Sequence, residues 1–178
     1  MKDVFKEQLV KRRPNIKTAM AKVGIVLAAI FLILIVALAP VEILNLFFPI
    51  LMAAIIFGAY ILFRRFNIEY EYVLTNNELD IDIIYGKSRR KRIFTSSVRD
   101  FEAFRQTGST EMEHSFSGAN VKADYSGGFG GDDAQYEFVS AYKGKKMRII
   151  FEPNQDLLSS IIPHLKRGTY PASLNNRK

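Results

Sequence analysis

Residues 23–63 read VGIVLAAIFLILIVALAPVEILNLFFPILMAAIIFGAYILF, and the reading of this stretch decides the architecture. Its only charged residue is Glu42. The uncharged runs on either side, residues 23–41 and 43–63, hold 19 and 21 residues. At a helical rise of about 1.5 Å per residue they reach roughly 28 and 32 Å, against a hydrocarbon core of about 30 Å. A core helix of a soluble protein rarely carries more than about 10–14 apolar residues in a row. Two transmembrane helices are therefore expected. The connector from Ala39 to Glu42 is so short that they must be antiparallel neighbours. Ala37-Leu38-Ala39 has the small-x-small pattern of a signal-peptide cleavage site, but 22 residues precede the first run, and that run exceeds the usual ~7–15 residues of a signal core. The small pairs Gly24/Ala28 and Ala54/Gly58 would let helices approach, and Pro49 is expected to kink the second span. Asn45 is the only strongly polar side chain in either run. An ion path or proton relay needs ionisable groups inside the membrane, so transport by a single copy is not expected.

The formal net charge of +7 is a topology signal before it is anything else. Lys2, Lys6, Lys11, Arg12, Arg13, Lys17 and Lys22 precede the first run, the connector has no basic residue, and Arg64 and Arg65 follow the second run at once. Short flanks rich in Lys and Arg stay in the cytoplasm. Lys11, Arg12, Arg13, Lys22, Arg64 and Arg65 are thus the topology-setting residues, and both termini are expected in the cytoplasm of a bacterium, with the chain crossing the cytoplasmic (inner) membrane twice. Nucleic acid is not an expected partner. The absence of cysteine excludes disulfides, thiolate metal sites and cysteine nucleophiles.

Residues 1–22 form a basic leader. Val4, Phe5 and Leu9 fall on one helical face among lysines, which predicts a short amphipathic helix on an anionic leaflet or else a solvated segment. Pro14 ends it, and Asn15 can cap the helix that enters the membrane. After Arg65 the period changes from helix to strand. Ile68 to Thr75 alternates strictly, Leu79 to Ile83 does so again, and Thr75-Asn76-Asn77-Glu78 between them is turn chemistry. Gly86-Lys87-Ser88 makes a second turn into a basic strand from Arg89 to Phe94, and a fourth strand is expected from Val98 to Arg105. Residues 107–133, rich in Ser, Gly, Asn and Asp, are expected to be a flexible loop with at most a short strand near Val121 to Tyr125. Strands return at Gln135 to Tyr142 and Lys146 to Phe151. Residues 154–166 carry an apolar stripe of Leu157, Leu158, Ile161, Ile162 and Leu165, with Asn154 or Asp156 supporting the helix start. Residues 169–178 are expected to be a loose tail. The soluble part, residues 66–168, is then a mainly antiparallel β domain, a barrel or sheet with a C-terminal α-helix.

Tyr72-Val73-Leu74-Thr75-Asn76-Asn77-Glu78-Leu79, then Gly86, then basic residues and Ile93, resembles the opening of bacterial pleckstrin-homology-like domains. The whole chain resembles a family of small Gram-positive bacterial membrane proteins with a two-helix transmembrane hairpin and such a domain. Met1-Lys2-Asp3, the Glu69 to Tyr72 strand and Phe151-Glu152-Pro153-Asn154 carry that likeness. It implies a membrane hairpin plus a pleckstrin-homology-like domain, and it brings no activity with it.

The candidate lipid- or partner-binding residues are Lys87, Arg89, Arg90, Lys91 and Arg92. Eukaryotic relatives of the fold hold phosphoinositides with basic residues near an early hairpin. Bacteria generally lack those lipids, so the resemblance implies at most attraction to anionic headgroups, about 1 kcal/mol per basic residue near the surface. The plainer reading is a strand whose charges balance Glu69, Glu71, Asp80 and Asp82 on its neighbours. His114 with Glu111 and Glu113, and Asp132 and Asp133 further on, make no coordination cage, and His164 near the end of the last helix has no nucleophile or carboxylate beside it in sequence. The glycine run lacks the Lys-Ser/Thr of a phosphate loop. No catalytic residue, metal or cofactor is expected, and the chain is not expected to be an enzyme. The function expected is a membrane-anchored binding or scaffolding module whose soluble domain contacts a protein partner or anionic lipid headgroups. The alternative is a small oligomeric channel or stress-linked subunit that self-associates through its hairpin.

Overall fold

The computed structural model describes residues 4–39, 42–128 and 134–175, with the side chains of residues 42–45 and 175 left aside. Pro40 and Val41 of the connector, Asn45's side chain, Asp132 and Asp133, and the last residues of the tail therefore lie outside the described set. The chain divides into two units.

The first unit is Pro14–Ile68 together with Tyr85–Ser88. Helix α1 runs Ile16–Leu38 and helix α2 Glu42–Arg65. Both are long and apolar enough to cross a membrane, and none of their apolar length is buried within the protein. α1 starts seven residues before the uncharged run, so Lys17 and Lys22 sit on its first turns. Asn15 occupies the N-cap position, but its side chain makes no capping hydrogen bond. α2 continues through Pro49. At its end Asn67 O accepts from Gly86 N at 2.8 Å.

The second unit is built from two four-stranded sheets. In the first the order is β1-β2-β3-β4, with β1 at Phe5–Lys11, β2 at Ile68–Thr75, β3 at Glu78–Tyr85 and β4 at Arg89–Ser97. The second sheet has the order β5-β7-β8-β6, with β5 at Ala103–Gln106, β6 at Val121–Asp124, β7 at Tyr136–Tyr142 and β8 at Lys145–Phe151. The two sheets are not closed into a barrel. Their inner faces meet through aromatic side chains: Tyr72 meets Phe151 edge-on at 5.7 Å, Phe94 meets Phe138 at 5.5 Å, and Phe101 stacks on Phe138 at 4.1 Å. Such pairs add to the burial of their large apolar area. Strict alternation puts Tyr70, Tyr72 and Leu74 of β2 and Leu79, Ile81 and Ile83 of β3 into this core.

Several elements differ from the sequence-based expectation. The leader is neither an amphipathic helix nor a solvated segment. It is strand β1, antiparallel to β2 from Phe5↔Thr75 to Lys11↔Glu69. Val10 is buried, whereas Phe5 and Leu9 stand exposed on the other face. Its seven residues can satisfy either period, and the partner that selects the strand lies beyond the hairpin. No strand spans Val98 to Arg105. A 3₁₀ turn at Val98–Asp100, capped by Ser97 Oγ, carries the chain from the first sheet to β5 in the second, so the buried Val98 and Phe101 serve a corner. Within the stretch expected to be a loop, the described residues 107–128 carry regular structure. Helix α3, Glu113–Ser117, buries Phe116 against Ala103 and Val139, and β6 pairs in parallel with β8. The C-terminal helix α4, Gln155–Ile161, starts where Asn154 Oδ1 accepts from Leu157 N at 2.8 Å, and Pro163 confines the rest to a 3₁₀ turn at Ile162–His164. Residues 169–174 are fastened as well. Thr169 O accepts from Phe104 N at 2.7 Å, and Leu174 of helix α5, Ala172–Asn175, is buried.

Candidate functional site

The β3–β4 turn presents the basic residues that the sequence singles out. Gly86 and Lys87 both take positive φ, +55° and +59°, as a tight turn matching the right-handed twist of its strands requires. Arg64 Nη2 donates to Gly86 O at 2.7 Å. A Cβ on Gly86 would stand 3.1 Å from Arg64 O, so the turn lies hard against the end of α2. Lys87 thus belongs to the helical unit, and Arg89 to Arg92 to the β unit.

The five basic residues divide by partner. Arg90 pairs with Glu71 and, at 3.6 Å, with Asp82. Arg92 pairs with Asp80 at 2.8 Å and with Asp82 at 3.0 Å. Glu71 and Asp82 are buried, so these guanidinium groups compensate carboxylates that would otherwise be stranded. The hydrogen bond to Asp82 holds the Arg92 proton still more firmly than usual, against a smaller opposing effect of burial. Lys87, Arg89 and Lys91 have no partner among the described residues. Strands β2 to β4 and the turn between β3 and β4 carry Glu69, Glu71, Glu78, Asp80 and Asp82 against Lys87, Arg89, Arg90, Lys91 and Arg92, five against five. The cluster is therefore no field of five free cations: two serve the fold and three remain available.

The topology-setting residues also have local work. Lys11 lies opposite Glu69 in the β1–β2 register. Arg12 Nη1 donates to Tyr70 Oη at 3.1 Å. Arg13 Nη1 donates to Gly128 O at 2.9 Å, and its Nη2 reaches Glu152 Oε1 at 3.2 Å. In the helical unit Lys22 Nζ donates to Asn67 Oδ1 at 3.2 Å and stands 4.9 Å over the Phe63 ring. Arg64 holds the turn, and Arg65 has no partner among the described residues.

Two polar networks escaped sequence reasoning. At the first, β1 meets the end of β8. Gln8 donates through Nε2 to Glu152 O at 2.9 Å and accepts at Oε1 from Asn154 N at 2.8 Å. Glu152 Oε2 accepts from Gly127 N at 3.0 Å, and Gly127 O accepts from Arg13 N at 2.8 Å. Tyr72 Oη donates to Tyr125 O at 2.6 Å and accepts from Glu152 N at 3.2 Å. Burial pushes the Tyr72 phenol far above its ordinary value. The Phe-Glu-Pro-Asn segment and the leader are thus the two halves of one joint. The second network surrounds Glu137, which is fully buried. Arg105 Nε donates to it at 2.6 Å and Arg148 Nε at 2.7 Å, and the Phe116 ring lies 4.1 Å from the Arg105 guanidinium. Arg105 Nη2 reaches Glu113 at 2.6 Å, which holds that carboxyl below its usual range, and Arg105 Nη1 donates to Glu111 O at 2.7 Å. The Glu111, Glu113 and His114 stretch is therefore a strap over Arg105. Among the described residues no group of three or more His, Asp or Glu side chains is placed to hold a metal ion.

A family model described as Bacterial PH-like domain (DUF6106) matches residues 2–170. No curated protein and no solved structure matches the chain.

Proposed function

We propose a function from one premise: this chain belongs to the bacterial PH-like domain family. It works as a membrane-anchored binding module, its PH-like domain held on the cytoplasmic face of the bacterial cytoplasmic membrane. There it presents Lys87, Arg89 and Lys91 to anionic headgroups and leaves the rest of its surface for a protein partner. The observation that carries the reading is the β1–β2 pairing. β1 precedes the helical hairpin and β2 follows it, so a sheet containing both fastens the domain to both ends of the hairpin. Strands that pair must lie on one side of a bilayer. That supports two crossings with both flanks on the same side, independently of the Lys and Arg count that points to the cytoplasm. Lys87 follows the Gly86 contact with α2, and Arg89 is at most about 7 Å further along the chain. That distance is within a Debye length of about 8 Å, so the surface potential of an anionic leaflet acts on Lys87 and Arg89, and more weakly on Lys91, at most about 14 Å along the chain from Lys87.

The test uses the full chain in nanodiscs, with a fluorophore at Ser88 and a quencher on the lipid headgroups. Quenching should rise when anionic lipid replaces zwitterionic lipid, and fall again in high salt. Gln at Lys87, Arg89 and Lys91 together should remove that response. A triple variant that responds like the parent refutes the headgroup contact. Reporters placed after Glu42 and after Lys178 should report opposite sides, and the same side for both refutes the anchor.

A further inference from the structure

Helices α1 and α2 leave an open apolar groove of about 290 Å³ between them, lined by Ile25, Ala29 and Leu32 on α1 and by Ile55, Gly58 and Leu62 on α2. On each helix these positions follow the three-and-four spacing of a single face. The hairpin's own packing does not account for the glycine: a Cβ on Gly58 would meet no atom within 4 Å. Because the helices are antiparallel, Ile25 and Leu62 mark the same end of the groove. Lys22 stands one turn before Ile25, and Arg65 one turn after Leu62. Arg65 has no partner among the described residues, and Lys22 donates one hydrogen bond, to Asn67, of the three an ammonium can give. A groove that is apolar along its length and cationic at one mouth fits a molecule with an apolar chain and an anionic head.

We infer that this groove is a binding site for one anionic phospholipid, with an acyl chain lying along Ile25–Leu32 and Ile55–Leu62 and its phosphate at Arg65 and Lys22. Charge complementarity selects this occupant over a second copy, whose apolar helix would leave Arg65 without a counter-charge and Lys22 with only its Asn67 and Phe63 contacts. The inference rests on the reading of α1 and α2 as membrane spans. It differs from the headgroup contact of Lys87, Arg89 and Lys91, which needs no groove and holds no single lipid.

The experiment is native mass spectrometry of the full chain released from detergent, with phosphatidylglycerol or phosphatidylcholine of identical acyl chains added. The parent should retain one phosphatidylglycerol in preference to phosphatidylcholine. Gly58→Leu, which fills the groove, should abolish that adduct. Arg65→Gln leaves the groove intact and should weaken it roughly fivefold, as loss of one basic residue near a lipid surface predicts. Circular dichroism checks that each variant keeps its helices. If Gly58→Leu is not helical, Arg65→Gln alone decides. An Arg65→Gln variant that retains phosphatidylglycerol like the parent overturns the proposal, as does equal retention of both lipids. A Gly58→Leu variant that keeps its lipid but loses a dimer also overturns it, because the groove would then hold a second copy. Carbonate extraction of the full chain from membranes tests the spans separately: a chain released into the wash refutes the anchor, whatever the lipid result.

Discussion

Replacing Glu152 by Ala should unfasten the leader from the domain. The carboxylate is 4% exposed and accepts from Gly127 N at 3.0 Å and from Arg13 at 3.2 Å. Its removal strands the buried Gly127 N–H, at about 1–3 kcal/mol. The Arg13 side chain is 36% exposed, so its pairing adds less than about 1 kcal/mol after solvent screening. Lost packing of the buried stem brings the sum to about 3 kcal/mol, and for a chain of this size that lowers the melting temperature by roughly 6–12 °C. The assay is thermal unfolding of the full chain in detergent, followed by the near-ultraviolet dichroism of its tyrosines. Asp156→Ala is the control. It breaks the Lys6–Asp156 pair, which also ties β1 to α4 but is exposed on both sides, and it should change stability by less than about 0.5 kcal/mol. If Glu152→Ala melts within 2 °C or so of that control, the joint is a solvated contact and the reasoning fails.

A chain beginning at residue 66 lacks β1 and should not reach the native state, whereas residues 4–13 joined to residues 66–178 by a short Gly-Ser linker should fold; amide dispersion in NMR spectra distinguishes the two. Arg105→Met leaves the buried Glu137 with Arg148 alone and should destabilise by about 3 kcal/mol, read from the denaturation midpoint. The folded-state pKa of Tyr72 is raised above its unfolded value near 10, so its contribution is complete below pH 10 and is lost as pH rises above it. Stability should therefore fall on the alkaline side, and Tyr72→Phe, although less stable at pH 8, should show a shallower alkaline slope in a melting-temperature profile.

The division between what sequence and what tertiary structure decided follows from the range of the interactions concerned. The helical hairpin needs no partner to be recognised. Runs of 19 and 21 uncharged residues are a property of composition and length, and bilayer thickness fixes what they are for. The β2–β3 hairpin is nearly as local, since alternation sets its faces and Asn76-Asn77 its turn. The α4 cap at Asn154 is written within four residues. The leader is different. Phe5, Leu9 and Val10 suit a helix or a strand equally, and only an edge offered by β2, more than fifty residues away, selects the strand. The polar stretch after Arg105 was illegible for a related reason. Phe116 is one apolar residue among polar neighbours, and its burial depends on two arginines that β5 and β8 bring together. The basic cluster shows the same limit at a site. Five positive charges are visible in the sequence, but the sheet register delivers Glu71, Asp80 and Asp82 to Arg90 and Arg92 and leaves Lys87, Arg89 and Lys91 open to solvent. Composition can count charges; which of them are already neutralised is settled only when nonlocal strands meet.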